Sequence, residues 1–375
     1  MTMRSRLCLL VIATTLSISG RASAQIPQRL DNRVYWRLMN EMSETGGVFT
    51  SENLVSNEPN FQLILSRLKD RVKPGGVYLG VGPEQNFTYI AAFQPSIAFI
   101  IDIRRQNLVQ HLLYKAIFEL AEDRATFLSI LFSRQRPDGL NEKSTLEEML
   151  NAYKNLAADA RLAASNRQRI KDLLMSRHGF PLAAEDVATL DHIHRIFELY
   201  GPETAYGSTL ETVDTTKGPA NGNFAKILAT TDDQGTNQTF LVREDRYRLV
   251  KDMQQRNLIV PIVGDFGGDK ALKQIAKYFH DNKATVNVFY VSNVEQYLFQ
   301  ANPRSPNGGA QKFYENVATL PLDAASTFIR VSNNDAIKQT YPGFTTHIGS
   351  IEETLRAFEE KRLNAIRDVF ALPQD

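Results

Sequence analysis

The stretch Ser96-Ile97-Ala98-Phe99-Ile100-Ile101-Asp102 restricts the fold of this chain more than any other. It is apolar on both faces of an extended backbone, so a strand formed here needs cover on both sides, as the inner strands of parallel sheets have. Helices on either side of it in sequence can supply that cover. Asn107 to Ala121 carries Leu108, Leu112, Ala116, Ile117 and Leu120 at helical spacing. Upstream, Val77 to Val81 reads as a short buried strand and Gln85 to Phe93 as a helix. Strand–helix–strand–helix in this order predicts a right-handed parallel sheet.

The alternation stops at about Arg124. From there to Tyr200 the pattern is helical only, with Ser144 and Glu147 as a capping box ahead of Leu146, Met149, Leu150, Tyr153 and Ala157. Thr212 to Asn237 is rich in Gly, Thr, Asp and Asn and reads as a loop around one short ordered piece. Strands return at Leu258–Val263, Thr285–Val291 and Thr327–Val331, with helices expected over Tyr247–Gln255 and Ala271–Phe279. Ser350 and Glu353 open a C-terminal helix carrying Ile351, Leu355, Phe358, Ile366 and Val369. Phe61 to Leu68 is read as a further helix before the first strand. The expected fold is α/β, a doubly wound and mostly parallel sheet with a large helical insertion. Its parts are a first half over residues 25–122, the insertion over 123–238, and a second half with the C-terminal helix over 239–375.

Residues 1–24 read differently. Arg4 and Arg6 precede the apolar run Leu7 to Ala13, and Ala22-Ser23-Ala24 offers a small-x-small cleavage site. This is the pattern of an export signal, too short for a comfortable membrane span. Cleavage after Ala24 removes Cys8, the one cysteine of 375 residues, together with three arginines and no acid. The expected mature protein is cysteine-free, slightly acidic, without a membrane span, and periplasmic or secreted. If the signal reading fails, the compartment is cytoplasmic. Lys+Arg 43 against Asp+Glu 42 gives no global pull toward nucleic acid, and one cysteine excludes a Cys-rich zinc site. His192 and His194, two apart, face different sides of a helix and cannot share an ion, so no metal site is expected.

Chemistry in an open parallel sheet gathers outside the carboxyl ends of the strands. Four such ends turn polar directly after an apolar run: Gly80 to Asn86, Asp102 to Arg105, Gly264 to Gly268, and Ser292 to Glu295. Gly80 and Gly82 permit a tight turn and close approach of a ligand. Asp102 follows Gly82 by twenty positions, the usual separation for an acid that accepts from ribose hydroxyls. Glu84 stands where a dinucleotide fingerprint has its third glycine. A carboxylate there repels phosphate at the helix N-terminus and suits an amino group or a cation.

These blocks carry a resemblance. The string from Gly75 to Tyr89, with Asp102 to Asn107, Val263 to Phe266 and Phe289 to Leu298, resembles an uncharacterised bacterial family with the Rossmann-like fold of class I S-adenosylmethionine-dependent methyltransferases. The resemblance implies S-adenosylmethionine as cofactor. Gly80, Gly82 and Glu84, followed by Gln85 and Asn86, would border its methionine part, Asp102 the ribose, and Asp265 and Phe266 the adenine. Ser292, Asn293 and Glu295 would face the acceptor, Asn293 orienting it and Glu295 taking its proton. Tyr78 and Glu84 depart from the methyltransferase pattern, where an acid and a glycine are usual. An export signal also removes the protein from a cytoplasmic cofactor. Three readings follow: a methyltransferase-like enzyme of unknown acceptor; an exported, non-catalytic binding protein for a nucleoside-like or amine-bearing small molecule; and an interaction protein acting through the helical insertion. Asn53 to Glu58, polar and ahead of the first strand, is read as a lid over the ligand or as an ordinary helix cap. The oligomeric state is left open by the sequence.

Overall fold

The computed structural model describes residues 25–49, 51–211, 213–214, 222–300, 309–333 and 344–373. The segment read as an export signal lies outside them. Six strands form one sheet: β1 (Val77–Gly80), β2 (Ile97–Asp102), β3 (Ile259–Val263), β4 (Val286–Ser292), β5 (Thr327–Asn333) and β6 (Phe344–Ser350). Their spatial order is β3-β2-β1-β4-β5-β6. All neighbours are parallel except β5 and β6. The chain moves outward from β1 through β2 to β3, then returns to lay β4 on the other side of β1, so the strand order reverses between β1 and β4.

Burial follows the sequence logic. Every residue of β1, β2 and β3 is buried. Phe99 pairs with Leu79 on one side and Val260 on the other, which makes β2 an inner strand with no solvent face. The helices Gln85–Phe93 and Arg105–Leu120 follow β1 and β2 as expected. Strand β6 is absent from the sequence expectation. It is an edge strand of mixed, non-alternating sequence, Phe344-Thr345-Thr346-His347-Ile348-Gly349-Ser350, and its register is set by the antiparallel ladder from Thr327↔Ser350 to Asn333↔Phe344.

Three helix expectations are corrected. The Phe61–Leu68 helix shrinks to Leu65–Leu68, because the Gln62 side chain is drawn out to Thr230 and Gln238. The capping box is formed by Thr145 and Glu148, one place beyond the expected pair, since Ser144 Oγ accepts instead from Asn141 N. Ser350 caps the C-terminal helix as read, but that helix ends at Glu359 and a separate short helix follows at Ile366–Phe370. Lys361, at a left-handed φ of 57°, marks the break.

The residues between the Arg105–Leu120 helix and β3 are largely helical, from Arg124–Phe132 through Ala184–Tyr200 to Phe224–Leu228. They do not form a separate core. Phe118 of the Arg105–Leu120 helix packs on Phe127 with ring centroids 4.6 Å apart, and on Phe240 and Tyr247 beyond the insertion. Among the described residues no helix is long and apolar enough to cross a membrane.

Candidate functional site

The carboxyl ends of β1 to β4 share one edge of the sheet, and the chain before β1 runs across all four. Glu44 N donates to Val263 O at the end of β3 (2.8 Å), and Gly47 N to Ile103 O just past β2 (2.7 Å). Arg104 and Gln110 donate to the carbonyls of Glu52 and Leu54 at 2.7 and 2.5 Å. Ser56 N donates to Glu84 Oε1 beside β1 at 3.0 Å. Glu58 accepts from Tyr290 Oη at 2.6 Å and from Ser292 Oγ, both on β4. Leu54 and Val55 are wholly buried.

Beneath this strap lies the glycine turn. Gly82 has φ 80°, which favours glycine. A Cβ on Gly80 would stand 2.0 Å from Asn86 Oδ1. Asn86 is the staple of the turn: its amide donates to the carbonyls of Val81 and Pro83, and its oxygen accepts from Tyr78 Oη at 2.8 Å. Gln85 Nε2 donates to Tyr290 Oη at 2.7 Å. His111 Nε2 lies 2.9 Å from Gly82 O. A carbonyl only accepts, so this nitrogen carries the proton. Burial pulls His111 down to about 4, leaving it neutral, and pushes the Glu84 carboxyl up to about 7.

The other expected residues fall into two groups. Asp102 stands at the end of β2, but both its oxygens are held by the Arg104 guanidinium, Nε at 3.0 Å and a terminal nitrogen at 2.8 Å. Asp265 Oδ1 accepts from Gly267 N, and Asp265 N donates to Glu44 Oε2. Glu44 also accepts from Lys270 N and Ala271 N, so a strap carboxylate caps the helix after β3. Phe266 is buried against Phe289 and Phe313. Ser292 sits at the end of β4 with a left-handed φ of 51°. Asn293 is the residue before the Val294–Leu298 helix, and its side chain makes no capping bond. Glu295 points into the interior, 2% exposed, and accepts from Tyr314 Oη at 2.7 Å and Arg330 Nε at 2.6 Å. Both Glu295 oxygens thus find their partners inside the fold.

With the strap seated, these residues do not fit S-adenosylmethionine at the turn. Asn86 fills the approach to Gly80, Ser56 covers Glu84, and Asp102 is already paired. The open space lies beside them. A cleft of about 490 Å³ is lined by Gly47 to Phe49, Ser51, Glu52, Arg104 to Gln106, Gly207 and Thr209. Its rim is apolar: Val48 is 86% exposed, and Phe49 packs edge-on against Tyr297, itself 46% exposed. Its floor is charged. Arg105 forks onto Asp186 at 2.7 and 2.6 Å, and Glu52 accepts from Gln106. His192 stands 3.7 Å from the Glu52 carboxylate, which holds Glu52 below its ordinary range.

A family model described as a domain of unknown function, DUF7790, matches residues 53–364. The chain belongs to that family. The match takes in the buried part of the strap, all six strands and the helices between them. No curated protein matches the chain. Among the described residues no group of three His, Cys, Asp or Glu side chains is placed to hold a metal ion.

Several of these features lay outside the sequence reading. Glu44, Glu52 and Glu58 are the strap residues that meet the strand ends, and only the Asn53–Glu58 stretch had drawn attention as polar. Arg104 and Arg105 belong to the polar strand end Asp102 to Arg105, and nothing in the sequence signals that each has a carboxylate partner.

Proposed function

We propose that this member of the DUF7790 family is a small-molecule-binding protein on a Rossmann-like, doubly wound sheet, and that its ligand is nucleoside-like. One observation carries the reading: the 490 Å³ cleft opens beside the β2 end, on the carboxyl edge of the sheet where open α/β folds take ligands and next to the switch between β1 and β4. Its volume suits a small organic molecule. Half-buried Phe49 and exposed Tyr297 offer aromatic surface to a base, and Glu52, Gln106 and Arg105 offer acceptors and donors to polar substituents. The strand order supports the Rossmann-like assignment, since 3-2-1-4-5-6 is the order of that fold. The antiparallel β6 is its departure.

S-adenosylmethionine-dependent methyl transfer is the second reading, favoured by the reversal of strand order beside Gly80–Gly82. Calorimetry with adenosine, S-adenosylhomocysteine and S-adenosylmethionine separates the two. The binding reading expects micromolar affinity for the nucleoside and a loss of about tenfold on Phe49→Ala, because stacking a base on an aromatic ring contributes about 1–3 kcal/mol. Methyl transfer requires S-adenosylmethionine to bind much more tightly than adenosine, and Asp102→Ala to abolish that binding. Heat with none of the three removes both.

We also propose export, on the pattern of residues 1–24. Intact-mass measurement of protein recovered from its native host should give an N-terminus at Gln25. A chain starting at Met1 would place the protein in the cytoplasm instead.

A further inference from the structure

We propose that residues 51–58, the last part of the strap, seal the crevice between the β1 and β4 ends, with Glu58 as the latch, and that this part opens to admit ligand. The inference builds on the binding reading above, since the sealed crevice adjoins the cleft.

The attachments are of two kinds. Leu54 and Val55 anchor the strap by burial. Glu58 closes it, each oxygen taking a hydroxyl from β4. Ser292, one of the two latch donors, sits in the left-handed region at φ 51°, and Asn53 within the strap adopts the same region at φ 50°, where asparagine is readily accommodated.

What the strap conceals is a wall of acceptors. Glu58 accepts from Tyr290 Oη, so the Tyr290 oxygen is the acceptor for Gln85 Nε2. The orientation of the Gln85 amide is thereby fixed, with Oε1 left over. Glu84 Oε2, Gln85 Oε1 and the bare His111 Nδ1 are all buried and without a donor among the described residues. Buried acceptors normally find partners. Here an opened strap would present them to a ligand bearing N–H groups.

Among the described residues the latch also lacks a counter-charge. Glu58 faces Tyr290 and Ser292 of β4, Tyr78 of β1, Tyr89 of the following helix, Tyr206 and Glu84. Glu84 faces Ser56 N, Glu58 and Tyr114. None of these is a cation. Burial raises both carboxyls in the sealed state, so that state binds protons more tightly than the open one. The proton-linked part of sealing is complete below the ordinary carboxylate range and is lost as pH rises to about 7.

Cysteine labelling reads the opening directly. With Cys8 replaced by serine the full chain has no thiol. Val55→Cys then places one where the residue is 0% exposed, and Val48→Cys gives an exposed control. The ratio of the two labelling rates cancels the ionisation of the thiol itself. It should rise roughly tenfold between about pH 5.5 and 8, by linkage. Tyr290→Phe, which removes a latch donor, should raise the ratio about tenfold or more at every pH. Glu84→Gln should flatten the pH dependence. A ratio that is flat with pH and unmoved by Tyr290→Phe overturns the proposal. Amide exchange at Ser56 N in the unsubstituted chain reports the same event should Val55→Cys fail to fold. An opening strap without nucleoside binding would sink only the ligand reading, and a sealed strap with binding would sink only the gate.

Discussion

Arg124→Met should lower the unfolding free energy by about 3–5 kcal/mol, the usual cost of removing one partner from a buried ion pair. Arg124 is 1% exposed. A guanidinium has five N–H donors, and each has an acceptor here. Nε donates to Glu244 Oε2 at 3.0 Å. One terminal nitrogen donates to Leu241 O and Val242 O, the other to Glu142 O and Ser144 O, at 2.8 to 3.0 Å. The side chain thus ties the start of the helical insertion to its first loop and to the stretch by which the chain returns to the sheet. Methionine fills the volume but strands four carbonyls and a carboxylate. Lysine restores the charge with only three donors in the wrong geometry, so Arg124→Lys should recover less than half of the loss. Urea denaturation of the variants gives the comparison. A change below about 1 kcal/mol for Arg124→Met would mean that the insertion and the sheet are not coupled through this residue.

The inner strands were legible in the sequence to within a residue or two, because a run such as Ile97 to Ile101 has no polar face and fits nowhere else. Strand β6 was not, since Phe344-Thr345-Thr346-His347 has the mixed character of an edge and takes its place only from the ladder with β5. The site divides in the same way. Gly80, Asp102, Asp265 and Ser292 were recognisable because each follows an apolar run directly. Their occupants were not. Glu58 reaches Ser292 across 234 positions and Glu44 reaches Asp265 across 221. No local pattern encodes such pairs. Arg104, two places from Asp102, was visible, but a charged pair at a strand end has the same local appearance whether it is solvated or closed on a carboxylate. Burial decides between these, and burial is set by the strap.

Glu295→Ala is expected to cost about 3–5 kcal/mol of stability, where a substrate-facing proton acceptor would cost little. Glu295 and Arg330 are 2% and 1% exposed. Arg330 Nε donates to Glu295 Oε2 at 2.6 Å, its terminal nitrogen reaches Thr354 Oγ1 at 3.1 Å, and its guanidinium lies 4.1 Å from the Phe328 ring centroid. Removing the carboxylate leaves that guanidinium buried beside a ring and a hydroxyl, with no counter-charge. Arg330→Met leaves the converse, a buried Glu295 with, among the described residues, only the Tyr314 side chain donating to it. Each single change should therefore be severe. The pair Glu295→Leu with Arg330→Met removes both charges and their desolvation together, and buried ion pairs replaced by apolar groups of similar volume commonly lose little or gain stability. The double variant should recover at least 2 kcal/mol relative to the sum of the single changes, a coupling read from the four urea curves of one cycle. Additive losses would mean that the two side chains act separately, and would reopen the possibility that Glu295 serves the acceptor. Strong coupling assigns Glu295 to holding the helix after β4 against β5, which keeps Ser292 and Asn293 in position at the strand end without taking part in chemistry there.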